Sequence, residues 1–253
     1  MKRIFSFLVV ALALVSTGSA QTAADVLAKH IEAVGGEEAW SGVTDRHAKI
    51  SVSVEIPQGV LVLDVEVWNL YPGYALAKTT AVSVPEGIPD LSSTVYVTPE
   101  GGFGEGMQFQ GRQDFEGPPP AAIIAGVPGF EGALEELGIL ASMDSVSVEL
   151  TGQEEMNGKM AHVVEVGGVS PSKSYYDVES GLLIARSQQS MMGTIVMMVS
   201  EYQEFDGLQV ALIQEGMAEA GGQSMSQTFA MTAHETNTGL TAEKLAELAG
   251  SDN

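Results

Sequence analysis

From Asp45 onward the chain alternates apolar and polar residues with a period of two, and it does so in one stretch after another, each closed by a turn. Ala48, Ile50, Val52, Val54 and Ile56 fall on one side of the first stretch, with His47, Lys49, Ser51, Ser53 and Glu55 on the other. Pro57-Gln58-Gly59 turns the chain. Leu61, Leu63, Val65 and Val67 then build a second apolar face opposite Asp64 and Glu66, with Trp68 and Leu70 on the more polar side. Tyr71-Pro72-Gly73 makes another turn before a third run, Tyr74–Val84. Successive strand side chains point to opposite faces, so this pattern requires a sheet with one face covered. Tight turns between long strands make it an antiparallel meander.

The same grammar returns in the last hundred residues. Val146, Val148 and Leu150 alternate, Gly152–Gly158 turns, and Met160–Val166 answers. In Ser172–Arg186 two short strand runs flank Asp177-Val178-Glu179-Ser180-Gly181. An Asp at the start of a turn can accept the following backbone N–H groups, and Gly can take the left-handed conformation that closes the hairpin. Gly193–Phe205, a turn at Asp206-Gly207, Leu208–Met217, a turn at Gly221-Gly222 and Gln223–Glu235 complete the series. Helices are few. Thr22 with Asp25 forms a capping box ahead of the stripe Val26, Leu27, Ile31 and Val34, which Gly35-Gly36 ends. Phe130, Leu134, Leu137 and Leu140 space a second amphipathic helix, and Thr241–Leu248 a short terminal one. The expected fold class is mainly β with few helices (α+β): a single large curved antiparallel sheet forming an incomplete β-barrel wrapped around short helices.

Residues 1–20 read as a cleavable signal peptide, and 21–253 as one domain. Lys2-Arg3 form the basic region, Ile4–Val15 the apolar one, and Gly18 and Ala20 the small positions before a cut ahead of Gln21. The expected location is the periplasm, with secretion as the alternative and no lipid anchor, because the chain has no cysteine. That absence also excludes disulfides, thiolate metal sites and a cysteine nucleophile. Eleven basic against 33 acidic residues give −22, and loss of Lys2 and Arg3 takes this to −24. Such a charge disfavours nucleic acid and anionic membranes as partners. The acids are scattered, which suits a solubility role, including adaptation to a high-salt habitat.

The region at about 99–128 has a different texture, with Pro99–Gly106 and Pro118-Pro119-Pro120 rich in Gly and Pro. Phe103, Met107 and Phe109 lie inside it as a possible lid over an apolar surface, and Ala121–Val127 follows.

Several pieces in family order resemble the LolA-like superfamily of outer-membrane lipoprotein-sorting proteins. They are Ala33-Val34-Gly35-Gly36 with Trp40, Gly152-Gln153-Glu154 with Asn157-Gly158, Tyr175-Tyr176-Asp177 with Gly181-Leu182-Leu183, Tyr202 with Phe205-Asp206-Gly207, and Asn237. Relatives often carry proline after the last of those turns, where this chain has Leu208. The resemblance implies a half-barrel with an apolar cavity for acyl chains. Its partner would be a lipid or lipoprotein acyl chain, or, in related stress-sensing modules of the same fold, another envelope protein.

Catalytic motifs are lacking. His30, His47, His162 and His234 have no metal-ligand spacing, there is no G-x-S-x-G or S-x-x-K, and the glycine run lacks the lysine of a phosphate loop. The expectation is a non-enzyme with no cofactor and no metal. Twelve methionines, with Met191, Met192, Met197 and Met198 close together, could offer thioethers to Cu(I). Neighbouring strand residues point to opposite faces, however, so these four cannot converge on one ion. An adaptable apolar interior is the simpler use. Candidate ligand-lining residues are the stripes Ile50, Val52, Val54, Leu61, Leu63, Val65 and Val67, which could equally be plain core.

Overall fold

The computed structural model describes residues 21–119, 132–168, 171–190, 193–220 and 223–250. The proposed signal peptide and the Ala121–Val127 run therefore lie outside the described residues, as does Phe130. Thirteen strands form one antiparallel sheet that is not closed into a barrel. They are β1 (Asp45–Ile56), β2 (Gly59–Leu70), β3 (Tyr74–Ser83), β4 (Ser93–Thr98), β5 (Gly101–Gly106), β6 (Gly111–Glu116) and β7 (Val148–Met156). The series continues with β8 (Lys159–Val166), β9 (Ser172–Asp177), β10 (Leu183–Ser190), β11 (Gly193–Phe205), β12 (Leu208–Ala220) and β13 (Gln223–Thr236). In space the order is β6-β5-β4-β3-β2-β1-β13-β12-β11-β10-β9-β8-β7. The first and last strands meet in the middle, and the chain between β6 and β7 runs from one edge to the other.

Four helices accompany the sheet among the described residues: α1 (Ala23–Ala33), α2 (Glu37–Ser41), α3 (Leu134–Ala141) and α4 (Ala242–Ala249). The α1 capping box forms in full, with the Asp25 N–H donating to Thr22 Oγ1 at 3.2 Å and the Thr22 N–H to Asp25 at 2.8 Å. Helix α1 is fixed on the turns at one end of the sheet. Lys29 Nζ donates to the carbonyls of Val178 and Glu179 at 2.6 and 3.0 Å, and the Gln209 N–H donates to Val34 O at 2.9 Å. Gly35 permits that docking, since a Cβ there would stand 2.9 Å from the Gly207 carbonyl. This is the helix end. The opposite, distal end carries the turns at residues 57–58, 84–92 and 107–110.

Two hairpin turns at the helix end take the conformation their dipeptides favour. Asn157-Gly158 and Asp206-Gly207 both have positive φ at the two central residues (52°, 75° and 50°, 85°), which matches the twist of the flanking strands. The Ser172–Arg186 hairpin forms as its residues direct, with Asp177 Oδ1 accepting from the N–H groups of Glu179 and Ser180, both at 2.8 Å. The region read as Gly/Pro-rich loop differs: Gly101–Glu116 forms the edge hairpin β5–β6 around a short 3₁₀ turn, Met107–Phe109. Helix α4 is placed differently from the other three. It lies on the outer face, where Leu245 packs with Leu76, Tyr96 and Phe103.

Candidate functional site

The strand register places Ile50 opposite Val65, Val52 opposite Leu63, Val54 opposite Leu61 and Ala48 opposite Val67. All seven candidate lining residues thus share one face of β1 and β2. This is the concave face, because its central residues pack with α1, α2 and α3. Ile50, Val52, Val65 and Val67 are buried in one cluster with Ile31, Val34, Trp40, Val43 and Ala133. Trp40 is 1% exposed and donates its indole N–H to Val34 O at 2.9 Å, which closes the helix end. Leu61 is buried as well, whereas Val54 and Leu63 stay half-buried at the margin of the cluster.

Across the middle of the sheet the margin continues. Val54 pairs with Gln227, Gln227 with Gly216, Gly216 with Met197 and Met197 with Arg186. The Gln227 amide reaches Met197 Sδ at 3.7 Å over Gly216, where a Cβ would collide with both side chains. On the next rung Val52 pairs with Phe229 and Phe229 with Gln214, which pairs with Val199. Val54, Leu63, Met197, Val199, Leu212 and Phe229 are all half-buried. Two depressions of about 250 and 300 Å³ occur elsewhere, and none of the seven lining candidates borders either.

The proposed lid residues do not come together. Phe103 points to the outer face, 2% exposed in the α4 cluster, with the Arg112 guanidinium 3.7 Å over its ring. Phe109 is buried in the concave cluster, and Met107 is 52% exposed. The physical reason is that Phe103 is fixed on β5 by strand pairing, whereas Met107 and Phe109 belong to the 3₁₀ turn that follows, which breaks the strand's alternation and sends them elsewhere.

A polar cluster to which the sequence assigned no role sits on the same concave face. Arg186 donates to Glu135 and to Glu136 Oε1, the latter at 3.0 Å, and its Nε donates to Ser174 Oγ at 3.1 Å. Tyr176 OH donates to Glu136 Oε1 at 3.0 Å, and the Tyr176 ring lies 5.1 Å from that of His30. Burial alone would lower the Arg186 pKa, but the two carboxylates raise it above its ordinary value. Burial pushes the Tyr176 phenol well up, and the charge of Glu136 adds to this. The group fastens α3 to β9 and β10. One hint stood in the sequence: the paired acids Glu135 and Glu136 at the start of a helix.

Among the described residues no group of three or more His, Cys, Asp or Glu side chains could hold a metal ion. His47 lies between Glu66 (2.8 Å) and Glu235 (3.2 Å) on the outer face and stacks on Trp68. His234 is buried beside Phe205, and burial, then the nearby Arg46 charge, lowers its pKa to about 4.

No family model matches the sequence, and neither does any curated protein. Solved structures do match. A DUF1329 family protein from Desulfovibrio piger superposes with a TM-score of 0.59 at 10% identity, covering 90% of this chain and 97% of its own. A LolA superfamily protein from Nitrosomonas europaea gives 0.56 at 10% identity, covering 88% and 97%. The fold is LolA-like. A domain assigned to outer-membrane lipoprotein sorting in Vibrio parahaemolyticus agrees, with a TM-score of 0.58, 10% identity and coverage of 89% and 96%. The residues that carried the resemblance have structural jobs in this LolA-like half-barrel. Trp40 fills its helix end, Gly35 and Gly181 admit the close docking of α1, and Asn237, at φ 54°, accepts from the N–H of Thr44 at 2.8 Å.

Proposed function

We propose that this protein is a non-enzymatic binding or carrier protein of the cell envelope, one that holds a lipid or lipoprotein acyl chain on the concave face of its half-barrel. The observation that carries the reading is the half-buried apolar margin on the distal half of the concave face: Val54, Leu63 and Phe229, packed against the core yet not sealed like it, with Met197 and Val199 on the neighbouring rungs. Alkyl surface entering there gains about 0.8 kcal/mol per CH₂ removed from water. Flexible Met197 suits an occupant of variable shape. Val54 and Leu63, with Leu61 beside them, are the proposed lining, while Ile50, Val52, Val65 and Val67 form the wall behind it.

The leader-like residues 1–20 support a periplasmic location, and among the described residues no helix is long and apolar enough to cross a membrane. The charge argues against nucleic acid and against stable membrane insertion. A binding role also suits the polar chemistry on the concave face, where Arg186 is fully engaged with Glu135, Glu136 and Ser174.

Native mass spectrometry of protein isolated from its own envelope tests the reading. The expected result is a reproducible lipid adduct that Leu63→Gln weakens. A folded protein that is always empty, or that retains a protein partner and no lipid, would sink it.

A further inference from the structure

The acyl lipid proposed above must have a head, and the distribution of cations says which heads are unwelcome. Of the eleven basic residues, Lys2 and Arg3 lie in the first twenty, and the remaining nine all fall within the described residues. Only Arg46 and Arg186 stand at concave register positions. Arg46 is 1% exposed and donates to Asn69 at the helix end, remote from the distal margin. Arg186 is held by two carboxylates. Lys49 and Lys78 flank Glu66 on the outer face.

Around the distal rim the balance is negative. Glu86 and Asp90 on the β3–β4 connection and Asp144 ahead of β7 are exposed there, whereas Glu105 stands on the outer face opposite Arg112. The cations nearest that rim are already paired, Arg112 with Asp114 at 3.0 Å and Lys173 with Glu165 at 2.6 Å. A phosphate or carboxylate head leaving water at this margin would find no free counter-charge, and its neighbours would repel it. Like charges a few ångströms apart in a partly desolvated place repel strongly, and at physiological salt that repulsion fades over a distance of roughly 8 Å.

Resting on the reading of the concave face as an acyl-lipid site, we infer that the protein selects lipids whose head carries no net negative charge. Apolar burial supplies the affinity, and the rim supplies the discrimination by disfavouring the wrong head. The occupant is a neutral glyceride-type or zwitterionic acyl lipid, and anionic phospholipids are rejected.

The test compares fluorescently tagged diacylglycerol and phosphatidylglycerol of the same chain length, titrated with the full protein at low and high salt. Diacylglycerol should bind about tenfold or more tightly at low salt, with the gap narrowing as salt screens the rim. Gln227→Lys, which places a cation on the distal rung beside Met197 and Val54, should improve phosphatidylglycerol binding selectively. Exposed Glu86→Gln with Asp90→Asn should act in the same direction without touching the packed face. Equal affinity for the two lipids, or a preference for phosphatidylglycerol, overturns the selectivity and leaves the acyl-lipid reading standing. Binding of neither lipid overturns both.

Discussion

Ile50 and Val54 stand on the same strand and point to the same side, yet they live in different surroundings. Ile50 is 1% exposed in the cluster built around Trp40, whereas Val54 is half-buried at its margin beside Gln227 and Leu61. The alternation that placed them is identical. What separates them is the helix layer: α1 is pinned to the turns at the helix end and Trp40 of α2 is bonded to Val34 beside it, so their apolar side chains cover the rungs near those turns first. A single stripe therefore acts as structural core along one half and as candidate binding surface along the other. Side-chain chemistry alone does not distinguish the two roles.

Removing the cover gives the largest expected effect. Trp40→Ala should cost about 3–5 kcal/mol, the usual range for deleting a buried aromatic whose cavity cannot collapse. The midpoint of urea unfolding will show it, and a loss below 1 kcal/mol would mean that the helix end is not the sealed one. A second effect at the helix end is tied to pH. The His234 pKa is lowered from 6.5 to about 4 in the folded protein. Above pH 6.5 neither state holds the proton. Between 6.5 and 4 the unfolded chain takes up a proton that the folded one refuses, so stability falls as pH falls, by on the order of 3 kcal/mol in all. His234→Leu should flatten that decline between pH 7 and 4.5 relative to the parent. An unchanged slope would show that His234 is not held neutral. The smallest effect belongs to the distal end: Val54→Ala should change stability by only about 1 kcal/mol, because Val54 is partly buried at the margin of the cluster and not enclosed by it. It should nevertheless weaken acyl-lipid binding measurably. A core-sized stability loss at Val54 would erase the contrast between the two ends.

Much of the sheet was legible because its information is local. Asn157-Gly158, Asp206-Gly207 and Asp177 through Gly181 dictate their own turns, and alternation then assigns faces without reference to anything distant. Gly101–Glu116 was misread for a reason equally physical. Glycine in sequence signals a loop, but on β5 it answers crowding: a Cβ on Gly102 would lie 2.0 Å from the Tyr96 carbonyl oxygen and 2.9 Å from Phe115 Cζ. That crowding exists only after β4, β5 and β6 have paired. The Arg186 cluster was hidden because its parts are held together by α3 and not by spacing. Glu135 and Glu136 stand some fifty residues before their partner, and no periodicity connects them. The candidate lining was legible as a face, whereas the boundary between wall and opening depends on where α1 docks.

The meeting of β1 and β13 at the centre of the sheet makes the middle of the molecule a seam. Arg46 pairs with Thr236 and Glu55 with Ser226, so residues from opposite ends of the chain zip together there. Every other neighbouring pair of strands is consecutive in sequence. Each arm can therefore be laid down hairpin by hairpin, outward to β6 on one side and back from β7 on the other. A single long-range closure then joins the two, and its entropic cost grows only slowly with the length of the loop it closes. The concave margin straddles that seam, with Val54 on one arm and Gln227 on the other. A binding surface of this kind comes into being only when the last stitch is made.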